Sequence, residues 1–205
     1  MWQFEHKAAL KGYRLIAGVD EAGRGPLAGP VVSAAVVFPE NFILKGPLAL
    51  INDSKKLSEK KRLTLFPLIK NQAVAVSVGI VDNRQIDRIN ILQAALLSMK
   101  RAVESLDTVP DLLLIDGKFT IDSTIDQHAI IKGDSKSASI AAASIIAKVT
   151  RDEIMADLHR QYPVYNFIRH KGYPTQAHKQ AILDHGPCPV HRFSFKGVKE
   201  VAGGK

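Results

Sequence analysis

The sequence predicts an α/β fold, a sheet with antiparallel and parallel parts covered by helices. Three observations predict it: apolar runs rich in valine come first, a long helical stripe follows, and a further buried strand then precedes an alanine-rich helix. Residues 14–20 contain Leu15-Ile16-Ala17-Gly18-Val19 and end in Asp20, and residues 31–38 form a second valine-rich run. In residues 73–81, Val74, Val76 and Val78 fall at every second place, the period of a strand. Ile86, Ile89, Leu92, Leu96, Met99, Val103 and Leu106 recur at three- and four-residue spacing and so line one helix face, with Asp82 and Asn83 as caps at its start. Leu112-Leu113-Leu114-Ile115 reads as a buried strand ending in Asp116. Residues 137–159 carry Ala141, Ala142, Ala143 and Ala147, small enough to let a helix lie close against a neighbour. Shorter helices are expected from Ser58 and over residues 175–185, the latter closed by Gly186. If 31–38 pairs with 14–20 and 112–116 lies alongside, the acids that end two strands fall at one end of the sheet. The C-terminal third is expected to form a small helical lobe on a single domain.

Apolar residues make up 46% of the 205-residue chain and charged residues 23%, which implies an ordinary globular core. The net charge of +8 is more than an enzyme of small neutral metabolites needs. It suits a protein that approaches a polyanion, because each neutralised phosphate releases counterions; a merely soluble basic surface is the plain alternative. One cysteine, Cys188, excludes an intrachain disulfide and fits a reducing compartment. The first residues lack the pattern of a signal peptide. The longest nearly apolar run, residues 73–81, is far short of the ~20 residues that span a bilayer. A soluble, cytoplasmic protein is expected.

The most informative stretch is Asp20-Glu21-Ala22-Gly23-Arg24-Gly25-Pro26-Leu27-Ala28-Gly29-Pro30. Adjacent side chains of a regular strand point to opposite faces, so Asp20 and Glu21 share a site only if the chain bends, which Gly23 and Gly25 permit. Neighbouring buried carboxylates repel unless a cation lies between them, and an oxygen-only ligand set favours Mg²⁺ or Mn²⁺. Alone, the pair reads better as a solvated acidic turn. Asp116 changes that, ending a second apolar strand before Gly117. Asp134, just ahead of the alanine-rich helix, is either a helix cap or a fourth ligand. Four such carboxylates could hold two divalent ions about 3.5–4 Å apart, the arrangement that serves in-line displacement at phosphorus.

Residues 23–28 also match the letters of a dinucleotide fingerprint, but two prolines lead them into a strand rather than a helix, which rules that reading out. Close backbone approach is the better use, since exposed peptide groups can hydrogen-bond a ribose 2′-OH. Lys55, in Asp53-Ser54-Lys55-Lys56-Leu57, stands in a polar loop where it could meet phosphate or simply be solvated. Tyr173, in His170-Lys171-Gly172-Tyr173-Pro174, could cap a helix or stack on a sugar or base. His170 and His178 flank that turn and read equally well as helix-surface residues. His191-Arg192-Phe193-Ser194-Phe195-Lys196 either tracks a nucleic-acid backbone or packs its phenylalanines on the core. No zinc-type spacing appears among the seven histidines.

The run from Gly18 to Val31 resembles the N-terminal signature of bacterial ribonuclease HII. The similarity continues through Asp53-Ser54-Lys55-Lys56-Leu57, Ile115-Asp116-Gly117, Lys132-Gly133-Asp134, the stretch from Ala142 to Asp152, and His170-Lys171-Gly172-Tyr173, in order along nearly the whole chain. The resemblance implies a ribonuclease H-like fold, a central mixed five-stranded sheet flanked by helices. It implies a small C-terminal helical lobe, about residues 160–205, that helps bind substrate. It also implies hydrolysis of the RNA strand of RNA–DNA hybrids, and incision at single ribonucleotides embedded in duplex DNA, leaving 5′-phosphate and 3′-hydroxyl ends. Carried over by motif, Asp20, Glu21, Asp116 and Asp134 would be the catalytic, metal-binding carboxylates, served by two Mn²⁺ or Mg²⁺ ions. Gly23, Arg24 and Gly25 would read the 2′-OH, Tyr173 would stack on the adjoining deoxyribose, and Lys55 would lie near phosphate. Arg24 between the glycines, and the short segment before the first strand, favour this family over ribonuclease HIII. The tail from Glu200 carries no sliding-clamp motif, and a monomer without an obligate protein partner is expected. Two rival readings are a non-catalytic basic nucleic-acid binding module and a DNA-only nuclease.

Overall fold

The valine-rich runs pair as their patterns require. In the structure, a computed structural model describing residues 1–40, 42–51 and 57–203, β1 (Ile16–Ala22), β2 (Val31–Val37) and β3 (Ala75–Val81) form an antiparallel meander. On the other side of β1, β4 (Leu112–Asp116) and then β5 (Asp126–Ile130) add in parallel, giving the mixed order β3-β2-β1-β4-β5. β2 is buried along its whole length because helices cover both faces of the sheet. Its residues divide with period two: Ala34 and Val36 face α4 (Ala138–Gln161) and α2 (Glu59–Gln72), while Ala35 and Val37 face α3 (Asn83–Glu104).

Each major helix begins where a cap falls. Ser58, Asp82, Ser137 and Thr175 accept from the amides of Lys61, Gln85, Ile140 and His178. Asp134 is therefore not the cap of α4; it lies four residues earlier than the first helical residue, buried in a short 3₁₀ turn over Gly133–Ser135. α3 is broken at Asn90, whose φ of 66° leaves the helix and whose side chain re-caps the next turn through Leu92 and Gln93.

Two elements carry no pattern that the sequence betrays. β5 is an edge strand exposed along most of its length, so it lacks an apolar period. α1 (Gln3–Ala9) is short, yet its Glu5 is buried and accepts from Ser137 Oγ at 2.6 Å and from Ser139 N at 3.0 Å, placing a carboxylate at the N-terminus of α4. The C-terminal lobe comprises α5 (Phe167–His170), α6 (Gln176–His185) and α7 (Lys199–Ala202). Phe167, Ile182 and Val198 there pack with Met155 of α4 and with Leu27 and Ala28 of the loop that follows β1.

The alanine face of α4 presses so closely on β1 that a Cβ at Gly18 would collide with the backbone of Ser139 and Ile140. Gly18→Ala is expected to lower unfolding free energy by about 1–3 kcal/mol, the usual cost of overpacking, measured by urea denaturation; a change within experimental scatter would show that α4 is free to shift.

Candidate active site

Asp20 and Asp116 stand at the same end of the sheet because β1 and β4 run parallel, with Val19 opposite Ile115. Carboxylate oxygens of Asp20, Glu21 and Asp116 all lie within 4.8 Å of one another. The expected bend between Asp20 and Glu21 is absent: β1 keeps its register with β2 through Ala22. Glu21 joins the other two carboxylates from within the regular strand.

Asp20 is almost fully buried, and burial first, then the charges of Glu21 and Asp116, push its carboxyl well above the usual carboxylate range. The Ser144 hydroxyl of α4 and the amide of Glu21 donate to it and pull part of the way back. Asp116 Oδ1 accepts from the Gly133 amide at 2.6 Å. Asp134 is thus tied to the group through its neighbour's backbone, although it is not among the three carboxylates that converge. The donor set is all oxygen and the like charges are crowded, which fits hard divalent cations.

Beside the acids runs the loop of residues 23–30. Gly23 has φ of 102°, and a Cβ there would strike the Arg151 side chain. Two buried arginines hold the loop from behind. Arg192 donates to the carbonyls of Gly23 (2.6 Å), Arg24 (3.0 Å), Gly29 (3.0 Å) and Pro30 (3.2 Å). Arg151 of α4 donates to Pro30, Ala28 and Lys171. Burial pushes Arg151 down to about 10 and Arg192 to about 9, so both keep their charge at neutral pH. Arg24 itself is half exposed and pairs with Glu21 at 3.2 Å.

Tyr173 is 40% exposed, and its ring edge lies 3.6 Å from where a Cβ on Gly25 would be, so ring and loop form one surface. Thr175 caps α6, and Tyr173 is free of that task. Its carbonyl accepts from His178 Nδ1 at 2.9 Å. With both rings neutral, His191 Nε2 must donate to His178 Nε2 (3.1 Å) and His191 Nδ1 accepts from the Cys188 amide (3.0 Å). Burial lowers both histidines to about 4, which keeps them neutral. His178 is therefore a core residue rather than a helix-surface one.

The basic stretch 191–196 resolves as packing at Arg192 and Phe195, with Phe193 exposed. Lys55 lies outside the described residues. Arg151, Arg192 and the His178–His191 pair are the residues that sequence reasoning missed as parts of the site, because nothing in local spacing separates a buried arginine from a surface one.

An acid-lined end of a mixed α/β sheet beside a glycine loop defines a metal-dependent nuclease of the ribonuclease H type. The family model described as Ribonuclease HII matches residues 17–198. Ribonuclease HII of Acetivibrio thermocellus is 55% identical over 192 residues, covering 94% of this chain and 73% of its own. That of Geobacter sulfurreducens is 54% identical over 203 residues, covering 99% and 92%. The crystal structure of ribonuclease H2 from Pyrococcus horikoshii superposes with a TM-score of 0.77 at 27% identity, over 92% of this chain and 97% of that one. The chain belongs to the ribonuclease HII family, metal-dependent hydrolases acting on the RNA of RNA–DNA hybrids. Among the described residues, no helix is long and apolar enough to cross a membrane.

A carboxyl that holds its proton more tightly when folded contributes stability below its unfolded pKa, and that contribution is lost as pH rises through the folded value. At pH 8 in chelator, Asp20→Asn, which removes the buried charge, is therefore expected to raise the thermal midpoint. Mn²⁺ should stabilise the parent protein more than the variant. A variant that melts below the parent in chelator would contradict the strain assigned to this carboxylate.

Proposed function

We propose that this protein hydrolyses the RNA strand of RNA–DNA hybrids and incises duplex DNA at single embedded ribonucleotides, with Asp20, Glu21, Asp116 and Asp134 as its metal-binding carboxylates. The observation that carries the assignment is the convergence of three carboxylates from β1 and β4 beside a glycine loop and an exposed tyrosine ring. Two divalent ions, Mn²⁺ or Mg²⁺, supply charge neutralisation at the phosphate and activation of the attacking water when bound.

The chain's own groups do the rest. The Glu21 amide and Ser144 fix the orientation of Asp20, and the Gly133 amide fixes Asp116, so the acids are arranged before substrate arrives. Gly23, Arg24 and Gly25 offer backbone to the sugar edge, where a 2′-OH distinguishes ribose from deoxyribose. Tyr173 gives the adjoining deoxyribose a flat apolar face. Lys55 contacts phosphate in this reading, and the lobe of residues 160–205 helps hold the duplex. The protein acts as a monomer in the cytoplasm, where its unpaired, buried Cys188 remains reduced.

The assay uses a duplex carrying one ribonucleotide, with Mg²⁺ or Mn²⁺. Incision at that nucleotide, leaving 5′-phosphate and 3′-hydroxyl ends, is expected, and a chelator should stop it. A 2′-deoxy nucleotide at the same position should block cleavage. Asp20→Asn should lower turnover at least ~10³-fold, a loss on the scale of removing one electrostatic stabiliser, while duplex binding persists. Cleavage that survives full chelation, or an all-DNA duplex cut equally fast, would overturn the assignment.

A further inference from the structure

Arg192 is fully buried and spends its donors on the loop, two of them on consecutive peptide units, Gly23 and Arg24. Among the described residues there are no cis peptide bonds, and a trans peptide points its N–H opposite to its carbonyl. The amides of Arg24 and Gly25 therefore point away from the guanidinium. Neither donates to any described residue. Two adjacent outward amides form a small concavity suited to an acceptor oxygen. Behind it lie two cations, Arg151 and Arg192, satisfied mainly by carbonyls, and a charged donor on a carbonyl strengthens the N–H across the same peptide. The Tyr173 ring stands beside Gly25.

We propose that Arg192 is the positioning residue that sets the choice between ribose and deoxyribose. By taking the acceptor oxygens of Gly23 and Arg24, it leaves these two peptide units with donors alone, so that the sugar's 2′-oxygen is read there as a hydrogen-bond acceptor. The inference rests on the reading of this loop as the 2′-OH sensor. It differs from a scaffold role, in which Arg192 merely ties the C-terminal segment down. Other contacts already do that: Asn83 donates to the carbonyls of Pro189 and His191, and Asp87 accepts from the amides of Phe193 and Ser194.

The test measures binding to two duplexes, one with a single ribonucleotide and one all DNA, with Ca²⁺ in place of the working ion. The parent protein is compared with Arg192→Lys, which keeps the cation but cannot span these carbonyls, and with Arg192→Met. Preference for the ribonucleotide duplex should fall about tenfold in both variants, the effect of about one lost hydrogen bond. Affinity for the all-DNA duplex, and Mn²⁺ affinity by calorimetry, should stay within about twofold. Unchanged preference overturns the proposal, as does an equal loss on both duplexes, which is what a scaffold would give. Amide hydrogen exchange on the parent protein covers the case in which the variants fail to fold: the ribonucleotide duplex, and not the DNA duplex, should protect the amides of Arg24 and Gly25, and equal protection overturns the proposal. If the parent cleaves at ribonucleotides yet binds both duplexes alike, the sensor assignment of the loop fails while the nuclease assignment stands.

Discussion

The parallel pairing of β1 with β4 is the constraint on which the rest depends. Parallel neighbours require a crossover connection, and here α3 provides it, returning the chain so that β4 starts beside the start of β1. Both strands then end together, and the acids that terminate them meet. Antiparallel pairing of the same two strands would have put Asp20 and Asp116 at opposite ends of the sheet. The apolar runs 16–19 and 112–115 are buried on both faces, so the register is fixed by the core, and the charged ends have no freedom to drift apart.

That arrangement concentrates negative charge in a place where water is scarce, and the protein answers it locally. α4 brings a serine hydroxyl to Asp20, and the turn before α4 brings an amide to Asp116. Because α4 lies directly on Gly18, two residues before Asp20, these donors are held by packing rather than by flexible loops. The same helix carries Arg151 two turns further along the same face, so one rigid element touches both Asp20 and the loop of residues 23–30.

Much of the fold was legible because its signals are periodic. The valines of β3, the stripe of α3 and the capping serines and aspartates each depend only on neighbours in sequence. β5 escaped because an exposed edge strand needs no apolar alternation, and α1 because seven residues are too few to show a period. The site divides the same way. Asp20 and Asp116 could be read from strand ends, whereas Glu21 joins them without the bend that the glycines suggested. Asp134 was ambiguous until Ser137 proved to be the cap. Arg192 looked like part of a basic tail, since its burial depends on carbonyls far away along the chain, and the roles of His178 and His191 depend on a tautomer chain that only coordinates reveal.

The long-range clamp also imposes an order of assembly. Arg192 is synthesised 168 residues after Arg24, whereas all three converging acids lie before α4. A growing polypeptide that has completed β4 still lacks α4, which covers β1, and the last fastening of the loop after β1. The loop after β1 is therefore fastened only when the C-terminal segment arrives, after every strand of the sheet has been synthesised.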